Sequence, residues 1–404
     1  MTAPRSVVIA GAGVAGLETL LALRALAGEA IDLTVVAPEL KFSNRSMSVA
    51  QPFGGQRARG IRLDDVTTAF DAPWIRDRLD RVDADVRTVV TRSGTRLSYD
   101  DLVIALGAHP GRWTSRSLSH RVQSRVLSYC GGREGPEYRL LLERLRSGRV
   151  KKLAFVKPAG PTWPLPVYDL ALMSASWCAA EGRSDVELTL VTPEEEPLGI
   201  FGNAASAAIR QLFEEHGVEL HTSSYGEPTR PGWLDISPGE RGMEVDQVVT
   251  EPRLVGPRLR GLPGDRDGFI HTDAHGRVPD LDGVYAAGDA TSFPVKQGGL
   301  AAQQAEAVAE SIAASAGIEI DPQPFRPVLR GVLLTGGAPR YLRSDISGGA
   351  GDDSSISEEP LWWPPNKLAG RYLGAYLSRQ AGEASDVMPR DVEGIPVETV
   401  LADR

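Results

Sequence analysis

Six residues near the start of the chain, Gly11-Ala12-Gly13-Val14-Ala15-Gly16, constrain what the rest can become. The apolar run 6–10 before them reads as a buried strand. Residues 17–27 after them read as a helix with Leu17, Leu20, Leu21, Leu23 and Leu26 on its apolar face. A second apolar strand, 33–37, ends at Pro38-Glu39. In such a strand–turn–helix unit Gly11 permits the tight turn, Gly13 lets the backbone approach a pyrophosphate, and Gly16 lets the helix pack close to the sheet. The amides and dipole at the helix start favour phosphates. Glu39 is placed to accept hydrogen bonds from ribose hydroxyls. The motif alone says little; in this setting it predicts a dinucleotide site.

A chain of 404 residues suggests two or three domains, since domains run about 100–200 residues each. No apolar run reaches the roughly 18–20 residues that span a bilayer, and the first five residues lead straight into a strand, so no signal peptide is expected. Cys130 and Cys178 do not make a disulfide framework, which suits a reducing cytoplasm. The net charge of −9 argues against nonspecific nucleic-acid binding. His271 and His275 lie four apart in a turn-like stretch, and no metal-ligand spacing emerges.

After Glu39, residues 42–55 show neither helical nor strand period. A loop at this place can reach over a cofactor, which makes Asn44 and Arg45 candidate contacts to its ring or phosphates; the alternative is a polar surface loop. Residues 82–99 read as a short meander with a turn at Arg92-Ser93-Gly94-Thr95. The next buried strand ends in Ala105-Leu106-Gly107, where small residues let the backbone run close to a ligand.

A second strand–helix–strand unit starts at residue 151. Its closing stretch, Leu188-Thr189-Leu190-Val191-Thr192-Pro193-Glu194, matches Leu33-Thr34-Val35-Val36-Ala37-Pro38-Glu39, an internal repeat. The turns differ. Residues 157–166 carry Pro158, Pro161, Trp163, Pro164 and Pro166, and proline has no amide to offer a phosphate. Helices are expected over 167–180, 204–216 and 300–314, the last preceded by Lys296-Gln297-Gly298-Gly299. Residues 346–359, rich in glycine, serine and acid, read as a mobile loop. Leu361-Trp362-Trp363-Pro364-Pro365 then precedes a short helix over 368–377. That helix packs on the body or on a second subunit, a homodimer contact; its alternative is a membrane-surface helix.

The opening glycine turn, the stretch Tyr99-Asp100 through Gly107, and Val284-Tyr285-Ala286-Ala287-Gly288-Asp289 together resemble the two-dinucleotide-binding-domain flavoproteins of the pyridine nucleotide-disulfide oxidoreductase superfamily. The resemblance covers roughly residues 5–315. Lys296-Gln297-Gly298-Gly299 and Ala302-Gln303-Gln304-Ala305 look like the branch of sulfide:quinone oxidoreductases and type II NADH dehydrogenases. It implies an α/β fold: two Rossmann-like three-layer dinucleotide-binding domains plus a small C-terminal α+β region. The boundaries expected are 1–118 with 267–325 for FAD, 119–266 for the NAD(P)-like domain with its degenerate turn, and 326–404. It also implies FAD contacts from Gly11, Gly13, Val14, Ala15, Gly16, Glu39, Val82, Ala105, Leu106 and Gly107. Gly288-Asp289 would sit on the ribityl chain, and Gly299, Leu300 and Ala301 would open a helix aimed at the flavin pyrimidine edge, where its partial positive charge favours the reduced, anionic flavin. The chain departs from the family's cysteine chemistry: residues 40–60 hold no cysteine, and none follows Cys178.

The expected activity is an FAD-dependent oxidoreductase passing electrons from a small-molecule donor to an acceptor. An NAD(P)H:quinone oxidoreductase and a flavin-binding protein without turnover are the alternatives. Lys296, Trp362, Trp363 and Lys367 are candidate catalytic residues, with the Trp362-Trp363 segment expected to wall the substrate site. Pro161, Trp163 and Tyr168 are the expected pocket lining. NAD(P)H binding is expected to be weak or absent, because the proline turn lacks amides and Glu194-Glu195-Glu196 repels the extra phosphate of NADPH.

Overall fold

The computed structural model describes residues 3–55, 60–111, 120–131, 134–239, 241–345, 354–362 and 367–382. Strand β1 (Arg5–Ala10) is buried from Val7 to Ala10, as a strand covered on both faces must be. Helix α1 (Val14–Ala27) crosses to β2 (Ile31–Val36), which pairs in parallel with β1. Strand β3 (Asp101–Ile104) flanks β1 on its other side. The first sheet runs Val284–Ala286, β3, β1, β2, Trp74–Ile75, all parallel. Leu79–Asp83, Thr88–Thr91 and Arg96–Ser98 form the expected antiparallel meander beside it.

The second sheet repeats this order. Strand β4 (Lys152–Val156) leads through helix α2 (Leu165–Ala180) to β5 (Glu187–Val191), and β6 (Gln247–Thr250) takes the place of β3. Its order is Val126–Ser128, β6, β4, β5, Val218–His221, again all parallel. These are two Rossmann-like units. The registers match residue for residue. Ala10 opposes Val36 and Ile104 in the first sheet; Val156 opposes Val191 and Thr250 in the second.

Helix α3 (Gly298–Ser315) lies along α1 and shares its core, with Ala301, Ala305, Val308 and Ile312 buried against it. The C-terminal residues divide between the two units. The antiparallel strands Val328–Leu333 and Arg340–Asp345 send Leu329, Leu333 and Leu342 into the second core, beside Leu165 and Phe201. Helix α4 (Arg371–Gln380) sends Tyr372, Leu373 and Tyr376 into the first. The cluster this region keeps for itself is small: Val332, Tyr341, Trp362 and Ala369.

Three local readings change. Residues 45–53 form a 3-10 helix where no period was visible. Within the stretch read as a mobile loop, Ser354–Ser357 is a strand paired with Arg340–Asp345; residues 346–353 lie outside the described residues. The last helix starts at Arg371 rather than 368, because Gly370 caps it and the carboxyl of Glu18 receives the amides of Tyr372 and Leu373.

Candidate cofactor and substrate site

At the end of β1 the backbone turns at Gly11, whose φ is +111° and whose amide donates to Val36 O at 2.8 Å. A Cβ on Gly11 would stand 2.2 Å from Ala105 O, and one on Gly16 would stand 2.0 Å from Gly11 O. Gly13 is the opposite case: exposed, with no atom within 4 Å of a Cβ. So Gly11 and Gly16 are required by the protein's own packing, whereas Gly13 borders open space. Gly13 is also the N-cap of α1 and supplies no side-chain cap, so the amides of Val14, Ala15 and Gly16 open onto that space. This is a cradle for a pyrophosphate. Glu39 is exposed three residues past β2, and Leu106 and Gly107 lie half-exposed at the end of β3 behind the buried Ala105.

The second wall comes from the far end of the chain. Gly288 (φ +75°) donates to Gln304 Oε1 at 2.7 Å, and a Cβ there would meet Ala15 Cβ at 2.9 Å and Ala301 Cβ at 3.2 Å. The starts of α1 and α3 therefore converge on Gly288. Asp289 follows; no described side chain hydrogen-bonds to it, and burial raises its carboxyl above the usual range although Lys296 opposes the shift. A partly covered carboxylate without donors is what a chain of sugar-alcohol hydroxyls would satisfy. Gln297 caps α3, its Oε1 accepting from Leu300 N at 2.7 Å while its Nε2 donates to Arg330 O at 3.0 Å. The amides of Gly298 and Gly299 complete the helix start. The cradle, the orphaned Asp289 and the open helix end fit FAD.

The remaining candidates have varied surroundings. Val82 is a core residue: its amide donates to Arg260 O at 2.9 Å and Gly261 lies against its carbonyl. Arg45 is exposed at the start of the 3-10 helix, close to Gly131 of the second unit, with Asn44 half-buried before it. Lys296 is buried, donating to Thr291 O and standing 3.9 Å from the Phe269 ring centroid. Burial pushes its ammonium down to about 8, with Asp289 and Asp265 opposing.

In the second unit the register puts Lys157 where the first has Gly11, and its amide makes the same bond, to Val191 O at 2.9 Å. Glu251 stands in place of Ala105, and Glu194 in place of Glu39. Helix α2 begins eight residues after Lys157, with Pro164 as N-cap and Pro166 in its first turn. The Glu194 carboxylate accepts from Tyr168 Oη at 2.7 Å and from Thr192 Oγ1 at 2.8 Å. Tyr168 is thereby corrected: it is fully buried against Phe213, a core residue and no pocket lining. Trp163 and Pro161 are half-exposed, Trp163 edge-on to Phe201 at 5.7 Å. Thr162 between them forms a parallel bridge with Val295, docking the proline loop beside Lys296.

Of the late candidates, Trp362 is buried edge-on to Tyr341 at 5.4 Å, and Trp363 lies outside the described residues. Lys367 is buried and bonded to Asp169, whose other oxygen accepts from Leu334 N at 2.7 Å. Burial outweighs the lysine and holds the Asp169 carboxyl above the usual range. Asp169 is the fifth residue of α2, and Glu18 is the fifth residue of α1. Glu18 is also fully buried, accepting from Tyr372 N and Leu373 N at 2.7 Å each. Two equivalent acids thus clamp the C-terminal region to both units. A lone acid in an otherwise apolar helix run is the signal that could have found them.

A family model described as pyridine nucleotide-disulphide oxidoreductase matches residues 171–310. The chain is 23% identical over 356 residues to a sulfide-quinone reductase of Aquifex aeolicus (strain VF5), covering 82% of this chain and 80% of that protein. It is 27% identical over 338 residues to the ferredoxin reductase component of a chlorobenzene dioxygenase from Cupriavidus sp. (strain PS12), covering 76% and 74%. The crystal structure of the Aquifex aeolicus sulfide:quinone oxidoreductase superposes with a TM-score of 0.78 at 19% identity, covering 97% of this chain and 99% of that one. Cradle and paired sheets are those of a flavin-dependent oxidoreductase, and residues 171–310 are similar to the pyridine nucleotide-disulphide oxidoreductases.

Proposed function

We propose that the protein passes electrons from a small-molecule donor, acting directly at the flavin face, to a quinone, without a bound nicotinamide. When bound, FAD supplies the two-electron redox chemistry; the chain supplies position and electrostatics. The turn Gly11–Gly16 and the start of α1 would hold the pyrophosphate, Glu39 the ribose and Asp289 the ribityl hydroxyls, and the start of α3 would stabilise negative charge on the reduced flavin. One observation carries the donor argument: Lys157 and Glu251 stand where a working cradle has Gly11 and Ala105. The Glu194 carboxylate that would take a nicotinamide ribose is already engaged by Tyr168 and Thr192. Cys178 is disfavoured as a thiol relay, since burial pushes its thiol up to about 11 and keeps it un-ionised. The quinone rests on the relative named sulfide-quinone reductase.

The test is anaerobic mixing of the FAD-loaded protein with sulfide, small thiols, NADH and NADPH while following flavin bleaching, then reoxidation by a soluble quinone. Fast reduction by a small donor, slow reduction by NADH and slower by NADPH are expected. Micromolar NADPH binding would overturn the donor assignment. FAD that no donor reduces would favour a flavin-binding protein without turnover.

A further inference from the structure

Electron entry directly at the flavin leaves Lys157, Thr162 and Glu251 without a task, and any role for them in turnover rests on that proposed function. The three sit together at the C-terminal edge of the second sheet, the edge at which open α/β sheets place their ligands. Glu251 is 5% exposed, Lys157 and Thr162 9% each. Thr162 Oγ1 donates to Glu251 Oε2 at 3.0 Å. No described group hydrogen-bonds to or ion-pairs with Lys157 Nζ, although its charge acts on Glu251. The charged groups facing Glu251 are Lys157 at the end of β4, Glu194 past β5, and Asp169 of α2, which is bonded to Lys367. Thr162 also bridges to Val295, one residue before Lys296 and two before the cap of α3. The cluster is therefore tied to the segment that presents α3 to the flavin. No nicotinamide is needed there, and an apolar filling would have served packing alone.

We propose that Glu251 is a proton-exchange residue coupled to the flavin, taking up a proton from solvent when the flavin is reduced and releasing it on reoxidation. On reduction at a pH where Glu251 is ionised, two electrons and one proton go to the flavin, and an O–H bond forms at Glu251 with a second proton from water. On reoxidation both electrons pass to the quinone, and both protons leave to it or to solvent. The physical basis is that added negative charge in a low-dielectric interior raises a neighbouring carboxyl, and the coupling is reciprocal. Burial already pushes the Glu251 carboxyl up to about 8, against Thr162 and Lys157, so it stands near the working range.

Potentiometric titration of the FAD-loaded protein with mediator dyes, across about pH 7 to 9.5, tests this on wild type, Glu251→Gln and Lys157→Met. Subtracting the variant from the wild type cancels the flavin's own protonations. Above about pH 8 the wild-type potential should fall with one proton more per two electrons than that of Glu251→Gln, an added tenfold change in equilibrium constant per pH unit, or about 30 mV. Lys157→Met removes a charge that favours the carboxylate and should move the break to higher pH. A carbonyl stretch of a protonated carboxyl, present in wild type at pH 7 and absent from Glu251→Gln, is the second readout; should Glu251→Gln not fold, the Lys157→Met shift decides. Bound FAD with identical slopes in wild type and variant, or an unmoved break in Lys157→Met, overturns the proposal alone. Failure of the wild type to hold FAD overturns the cofactor reading and the proposal with it.

Discussion

At the end of its central strand the first unit has Gly11, and the second has Lys157. Beside them stand Ala105 and Glu251. The strand orders and registers are the same, and the amides of Gly11 and Lys157 make the same bond to the next strand. What separates the units is chemistry at one edge. The first leaves room and open amides there. The second fills the room with a lysine, a glutamate and a proline loop. A shared backbone therefore need not carry a shared ligand; the few residues at the strand ends differ in what they offer one.

The sharpest way to break this comparison is Gly13→Val. No protein atom lies within 4 Å of a Cβ at Gly13, so the fold should persist while the pyrophosphate is excluded. FAD affinity should fall by at least about 100-fold, roughly 3 kcal/mol, with the unfolding of the FAD-free protein unchanged. Full FAD occupancy in this variant would sink the cradle.

The two acids that clamp the C-terminal region should respond differently. Lys367→Met strands the buried Asp169 charge and should cost about 3–5 kcal/mol in urea unfolding. Glu18→Gln keeps one acceptor oxygen, leaves one helix amide unpaired, and should cost about 1–2 kcal/mol. Burial first, then Glu306, holds the Glu18 carboxyl well above its usual range, so the loss of its charge adds little. Equal losses would show that the two clamps do not differ in charge.

Between them comes a pH effect. The Glu251 carboxyl sits at about 8 in the folded protein, against 4.5 for an unperturbed glutamate. Between those values the folded state binds the extra proton, so stability falls as pH rises, and the contribution is lost once pH passes about 8. Glu251→Gln should flatten the melting profile between pH 5 and 9. A profile parallel to wild type would show that Glu251 is not held protonated.

Much of this was legible in the chain. Gly11, Gly13 and Gly16 between two apolar runs specify a strand, a tight turn and a helix through local sterics and periodicity alone. The repeat of 33–39 in 188–194 likewise announced the second unit, and its prolines announced that the amides were gone. Local signals failed where a side chain's role depends on a distant partner. Tyr168 reads as an aromatic pocket residue until its ring is seen fully buried against Phe213, with its hydroxyl bonded to Glu194. The bond from the Val82 amide to Arg260 O likewise joins residues far apart in the chain. Ser354–Ser357 has a loop's composition, and is a strand because Arg340–Asp345 offers it an edge.

By itself, then, the sequence determined the two strand–helix–strand units and which of them keeps a phosphate cradle, because those depend on residues within a few positions of one another. The tertiary structure alone decided that Glu251 and Lys157 meet across β6 and β4. It alone decided that Glu18 and Asp169 reach segments some 200 or more residues away. Burial and parallel register bring those pairs together, and no local pattern encodes a contact whose partner lies in another element.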